Sequence, residues 1–201
     1  METTYDIMPL VDVIRRLRAP DGYPWDRVQT MASMRKHLLE EAYEVCDAVD
    51  RGDMVNLQEE LGDVLFHVIF YSEMAAEAGN FDLQTVIDGV CEKMQRRHPV
   101  LYPPAGGEPV ENDWERIKAQ EKRARHQPSR LPENLPALMK LDKLVGKLEK
   151  NHSHEEILAR FGTDEKSRAL LELVIRNRAS ESVTELVCAN LAKSIEDFIN
   201  A

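Results

Sequence analysis

Glu60-Leu61-Gly62-Asp63 runs without a break into Val64-Leu65-Phe66-His67-Val68-Ile69-Phe70-Tyr71, and this junction restricts the fold more than any other stretch of the chain. Acids three residues apart lie on one face of a helix, and the apolar run behind them needs a core. A carboxylate beside a core needs a partner, yet no Lys or Arg lies within a helical turn of Asp63. The same acidic spacing occurs upstream, in Glu40-Glu41-Ala42-Tyr43-Glu44. Like charges so placed cost an isolated helix roughly a few tenths of a kcal/mol per pair. Two such pairs on successive helices, Glu41 with Glu44 and Glu60 with Asp63, can converge on one point. A hard divalent cation such as Mg²⁺, which takes oxygen ligands, would be their partner. Glu59 fits the register as well as Glu60, and spacing does not choose between them. Taken singly, Glu40, Glu41, Glu44, Asp47 and Asp50 also fit a solvated face, with Lys36 four residues before Glu40 as its partner.

Around this junction the periodicity is helical, and no segment alternates with period two. A first helix is predicted from Met8 to Arg18, with Leu10, Val13, Ile14 and Leu17 on one face. The two prolines and glycine of Ala19 to Asp26 exclude regular structure there. Thr30 or Ser33 caps a second helix ending near Arg51-Gly52, and Asp53 caps a third that stops at Gly79. Asp82 caps a fourth, with Val86, Ile87, Val90 and Met94 before Arg96-Arg97-His98-Pro99. Four helices on short loops make an all-α bundle or half-bundle. Pro103-Pro104-Ala105-Gly106-Gly107-Glu108-Pro109 is the clearest boundary. The expected organisation is a helical domain over 1–102, a linker with one charged helix over 103–136, and a C-terminal helical domain over 137–201.

Composition narrows the function. A net charge of −10 argues against a nucleic-acid binder, which needs a basic surface. It leaves room for a phosphate-bearing small substrate, because a bound cation reverses the local field. Cys46, Cys91 and Cys188 form no CxxC pair and read as small core residues of a reducing compartment. The N-terminus lacks a basic n-region with a long apolar run, and the apolar stretch at Val64–Tyr71 is too short to span a bilayer. The expectation is a cytoplasmic protein with no membrane partner.

Two further constellations suit a metal–nucleotide complex. Lys93 and Arg97 share a helix face, with Arg96 beside them, and can grip a phosphate chain. A basic last turn also simply complements the helix C-terminus. Trp25, in Tyr23-Pro24-Trp25-Asp26, either stacks on a base or plugs the end of the bundle. A di-iron centre needs Glu-x-x-His on two helices, and the chain has one such tetrad, Glu149 to His152. His67, four residues after Asp63, reads as a hydrogen-bonded core residue.

Together these residues resemble the MazG family of all-α nucleoside triphosphate pyrophosphohydrolases. The resemblance covers about Leu10 to Tyr102. It rests on the Pro-Trp-Asp loop, Leu39-Glu40-Glu41-Ala42-Tyr43-Glu44-Val45, Glu60-Leu61-Gly62-Asp63-Val64-Leu65-Phe66 and Arg96-Arg97-His98-Pro99, which follow the family order of EExxE and then ExxD. It implies hydrolysis of a nucleoside triphosphate to the monophosphate and pyrophosphate, for housekeeping of the nucleotide pool. It also implies Mg²⁺, with Mn²⁺ as a substitute, held by Glu41, Glu44, Glu60 and Asp63. Glu40 or Glu44 would accept the proton of the attacking water, and Trp25, Lys93, Arg96 and Arg97 would contact the substrate. The domains of this family pair to complete a bundle, so a homodimer or higher homo-oligomer is expected. A catalytically weak nucleotide- or partner-binding helical protein is the alternative.

The remainder resembles a degenerate second repeat. Nothing between Leu141 and Ala201 reproduces EExxE with ExxD, since Glu155-Glu156 is followed by Ala159. Its acids, Glu155, Glu156, Asp164, Glu165, Glu172, Glu181 and Glu185, interleave with Lys166, Arg168, Arg176 and Arg178. That is the pattern of a salt-bridged helix surface with no metal site of its own.

Overall fold

Local chemistry sets where the helices begin and end. The computed structural model describes residues 5–103, 114–124 and 131–180, with 184, 187–189, 191–192 and 195. Helix α1 spans Met8–Arg18. A single turn, α2 (Pro24–Arg27), follows where no regular structure was expected. The prolines do bar a long helix, but Pro24 stands at the first helical position, where its missing N–H costs nothing and its fixed φ suits the turn. Helix α3 (Met31–Arg51) starts at Thr30, whose hydroxyl accepts from Ser33 N–H while Ser33 answers to the Thr30 N–H, a reciprocal cap. It stops at Gly52, left-handed at φ 66°. Asp53 then accepts from Asn56 N–H and opens α4 (Met54–Glu77). Asp82 caps α5 (Leu83–Arg97) in the same manner.

Among the described residues there is no strand, and no helix is long and apolar enough to cross a membrane. The chain divides into two compact units, Met1–Gln120 and Glu121–Ala201.

In the first unit α3 and α4 form a tight antiparallel pair, and α1 crosses α4. Val11, Ile14, Met34, Ile69, Phe70 and Met74 make the core, with Ile7, Leu10, Phe66, Tyr71 and Leu83 packed around it. Each fully buried side chain of this size contributes about 1.5–3 kcal/mol. The stripe on α1 is therefore centred on Val11 and Ile14, and Val13, expected inside, is exposed. Only part of the Val64–Tyr71 run is core. His67, Ile69 and Phe70 are buried, while Leu65 and Val68 stay exposed, because a helix against one layer buries one face. Helix α5 leans on α4 without burying a single residue.

The second unit holds α7 (Ala137–Leu148), α8 (His154–Phe161) and α9 (Glu165–Ala179). Its core is Val145, Leu171 and Val174, with Leu141, Leu158 and Ile175 around them. Helix α6 (Trp114–Ala124) crosses the division between the units. Cys91 is exposed, and Cys46 and Cys188 are half-buried, so the thiols are not the core residues expected. The linker at 104–113 and the acids Glu181 and Glu185 lie outside the described residues.

Candidate functional site

The register of the α3–α4 pair brings the two acidic motifs face to face. One carboxylate oxygen from each of Glu41, Glu60 and Asp63 lies within 4.8 Å of the others. Glu44 stands close enough to both Glu41 and Glu60 to raise their carboxyls. Glu60 is the buried member, at 8% exposure, and Asp63 is exposed. Asp63, expected beside a core, is exposed and stands one helical turn from Glu60. Glu59, the other candidate in this register, points to solvent.

The electrostatics are those of a crowd. Partial burial, with Asp63, Glu44 and Glu60 nearby, raises the Glu41 carboxyl from 4.5 to about 7. Burial and then Glu44 push Glu60 up as well. Among the described residues no Lys or Arg forms an ion pair with any of the four acids. In the amide orientation that satisfies both neighbours, Asn56 donates to Glu60 Oε1 and accepts from Arg51 Nη2, each at 3.2 Å.

A cavity of about 180 Å³ opens beside these acids, lined by Trp25, Met34, His37, Glu41, Asp63, Phe66 and His67. Trp25 is half-exposed and sits edge-on to His37, with ring centres 5.8 Å apart. It borders the acidic site and does not plug the bundle. His67 is buried, but it is not the hydrogen-bonded core residue expected. Its Nδ1 has no partner, and its Nε2 lies 3.9 Å from Glu41 Oε1. Burial, together with His37, lowers its pKa. Glu40 pairs with His37 Nδ1 at 3.1 Å, not with the expected Lys36.

The basic residues lie on α5, which packs on α4. The Arg97 guanidinium lies 5.0 Å over the Trp114 ring. Arg96 lines a different cavity with Glu92, Gln95, Pro99, Leu101, Tyr102 and Pro103, and Lys93 is half-buried on α5. Sequence reasoning did not single out His37, although it stands four residues before Glu41, one turn away on the same face.

Residues 29–102 match the MazG nucleotide pyrophosphohydrolase domain, a span that contains all four acids and the basic turn. Over these residues the chain is similar to the MazG family. The nucleoside triphosphate pyrophosphohydrolase of Escherichia coli K12 is 42% identical over 142 residues, covering 67% of this chain and 54% of that protein. The nucleoside triphosphate pyrophosphohydrolase/pyrophosphatase MazG of Thermotoga maritima is 43% identical over 113 residues, covering 56% and 44%. A crystal structure of a mazG-related protein from Thermotoga maritima aligns with TM-score 0.47 and 28% identity, over 58% of this chain and 98% of that one. The chain spans about half the length of these two curated MazG relatives.

The matched segment offers a divalent cation a set of hard oxygen donors. The acids fit such an ion on their own geometry. Three offer oxygens within 4.8 Å of one another, burial and the neighbouring acids raise Glu41 to about 7, and among the described residues no Lys or Arg is paired with them.

Proposed function

We propose that this chain hydrolyses (deoxy)nucleoside triphosphates to the monophosphate and pyrophosphate. The observation that carries the reading is the convergence of Glu41, Glu60 and Asp63 inside the segment matched by the MazG domain. The names of its relatives support it. Glu41, Glu44, Glu60 and Asp63 would hold Mg²⁺, or Mn²⁺ in its stead. When bound, the ion supplies Lewis-acid stabilisation of charge on the phosphoryl oxygens.

The chain's own residues do the rest. A water molecule adds to the α-phosphorus, the α–β anhydride bond breaks, and pyrophosphate leaves. Glu44, held against Glu41 and Glu60, is suited to take the proton of that water. Glu40 is engaged by His37, and its carboxylate is the second candidate for this step. Trp25 presents a half-exposed ring at the cavity rim, on which a base can stack. Lys93, Arg96 and Arg97 on the last turns of α5 would meet the outer phosphates. A cytoplasmic setting belongs to the same reading.

The functional unit is a homodimer or higher homo-oligomer. Leu61, Leu65 and Val68 form an exposed stripe on α4, and Val86 and Val90 are exposed on α5, which has no buried residue. A second copy would cover these faces. Sedimentation should give at least a dimer at micromolar concentration, and a compact 23.0 kDa monomer would contradict this. Pyrophosphate release from the eight common nucleotides, with Mg²⁺ and with chelator, tests the activity. No release from any of them, with nucleotide binding retained, would favour a binding protein instead.

A further inference from the structure

Two arginines of α1 reach acids of α4. Arg15 donates from Nε and Nη2 to Glu73 at 2.7 and 3.2 Å. Arg18 donates from Nε and Nη2 to both oxygens of Glu77, at 2.8 and 2.6 Å. The pairs differ in what else they hold. Arg18 Nη1 also donates to the backbone carbonyl of Asp26 at 2.9 Å, and its guanidinium lies 5.0 Å over the Phe70 ring. Its side chain is 9% exposed. One planar group therefore joins α1, α4 and the residue after Trp25.

The turn that carries Trp25 needs such an anchor, because α2 has only four residues. Gly22 N–H donates to Ala19 O and Tyr23 N–H to Leu17 O, which folds the chain back on the end of α1. A Cβ at Gly22 would fall 2.6 Å from Arg16 O, so this approach requires glycine. Downstream, Gln29 Nε2 donates to Trp25 O at 3.0 Å. These bonds all stay within α1, α2 and the residues beside them, and the Arg18 bridge is what refers the turn to α4, where Glu60 and Asp63 lie.

We infer that Arg18 is a positioning residue, which sets the Trp25 indole at the rim of the acidic cavity by fastening the α2 carbonyl to α4 through Glu77. The inference rests on the reading of Trp25 as a substrate contact. Lysine cannot replace the guanidinium here, since one ammonium cannot span a bidentate carboxylate and a carbonyl while lying flat on a ring.

Fluorine NMR of the full chain labelled with 5-fluorotryptophan tests this. The sequence has two tryptophans, and loss of one resonance in Trp25→Phe assigns the signal. Arg18→Lys should shift and broaden the Trp25 resonance and leave that of Trp114 in place. It should raise KM for the nucleotide about tenfold, with kcat within about twofold. Glu77→Gln, which keeps one acceptor, should do the same to a smaller extent, and serves if Arg18→Lys does not fold. Arg15→Gln breaks the neighbouring α1–α4 pair and should lower the melting temperature without moving Trp25 or KM. An unmoved Trp25 resonance in folded Arg18→Lys or Glu77→Gln overturns the inference. So does an Arg15→Gln variant that moves Trp25 equally. If Trp25→Ala leaves KM unchanged, the reading of Trp25 has failed instead, and the fluorine signal still decides whether Arg18 holds the indole.

Discussion

Acids crowd both units of this chain, and they are handled in opposite ways. In the second unit Arg178 donates to Glu149 and to Asp142, each at 3.0 Å, and also to the Asp142 carbonyl. Gly146 leaves the space for it, since a Cβ there would lie 2.5 Å from Arg178 Cζ. Arg168 takes Glu172, and Glu156 is spent on the reciprocal cap of α8 with Ser153. In the first unit Glu41, Glu44, Glu60 and Asp63 meet with no arginine or lysine paired to them among the described residues. Carboxylates that serve structure are neutralised by the chain itself. A cluster left uncompensated is destabilising until something outside the chain compensates it, and this separates a site from a surface.

The comparison breaks most visibly if the uncompensated acids are dispensable. Glu41→Gln, Glu44→Gln, Glu60→Gln and Asp63→Asn should each lower pyrophosphate release by about 100-fold or more while remaining folded. In chelator their melting temperatures should hold or rise, because each removes a repulsive charge. An Asp63→Asn variant with full turnover and lost stability would end the metal assignment.

Stability against pH sharpens the contrast. Glu41 titrates near 7 in the folded chain, above its ordinary 4.5. As pH rises across that window the unfolded chain releases the proton first, so stability falls and stays lower above it. At about 1.4 kcal/mol per unit, the loss amounts to up to about 3 kcal/mol. The raised Glu60 carboxyl acts with the same sign. Thermal melts in chelator should show wild type losing ground to Glu41→Gln between pH 4.5 and 7, and Mg²⁺ should erase the difference. A parallel pair of curves would refute the crowding.

In the second unit the sign reverses, since removing the cation there is what hurts. Arg178→Ala leaves Asp142 and Glu149 facing each other and should cost about 2 kcal/mol in urea unfolding. Smallest of all, Glu156→Ala and Glu172→Ala should leave turnover within about threefold. Glu156→Ala should cost about 1 kcal/mol of stability through its lost cap. A large loss of rate in either would move the active site to the other unit.

The helices and their caps were legible in the sequence because their causes are local. Thr30, Asp53 and Asp82 satisfy amides three residues on, and Gly52 alone in its turn has to be left-handed. The pairing of the two acidic motifs was legible for the same reason, since helical spacing fixes each face. Which acid is buried was not, because that depends on how far α4 rolls against α1 and α3. Nor was the arrangement of Trp25, His37 and His67 around one cavity, which follows from the docking of a proline turn onto distant helices. The exposure of α5 was hidden too. Val86, Ile87 and Val90 give an apolar face, but periodicity does not say whether one chain supplies the surface to cover it.

The joint between α3 and α4 consists of Gly52 and Asp53 alone, and so it sets the phase of the two motifs. Each residue added to either helix between the joint and the acids turns its carboxylates by about 100° and moves them about 1.5 Å along the axis. One extra residue in α4 would carry Glu60 and Asp63 off the face that Glu41 presents, although every side chain remained. The separation of the motifs can therefore grow only in matched steps. About seven residues on each arm would restore both rotation and height, and intermediate lengths would give a well-folded hairpin whose acids never meet.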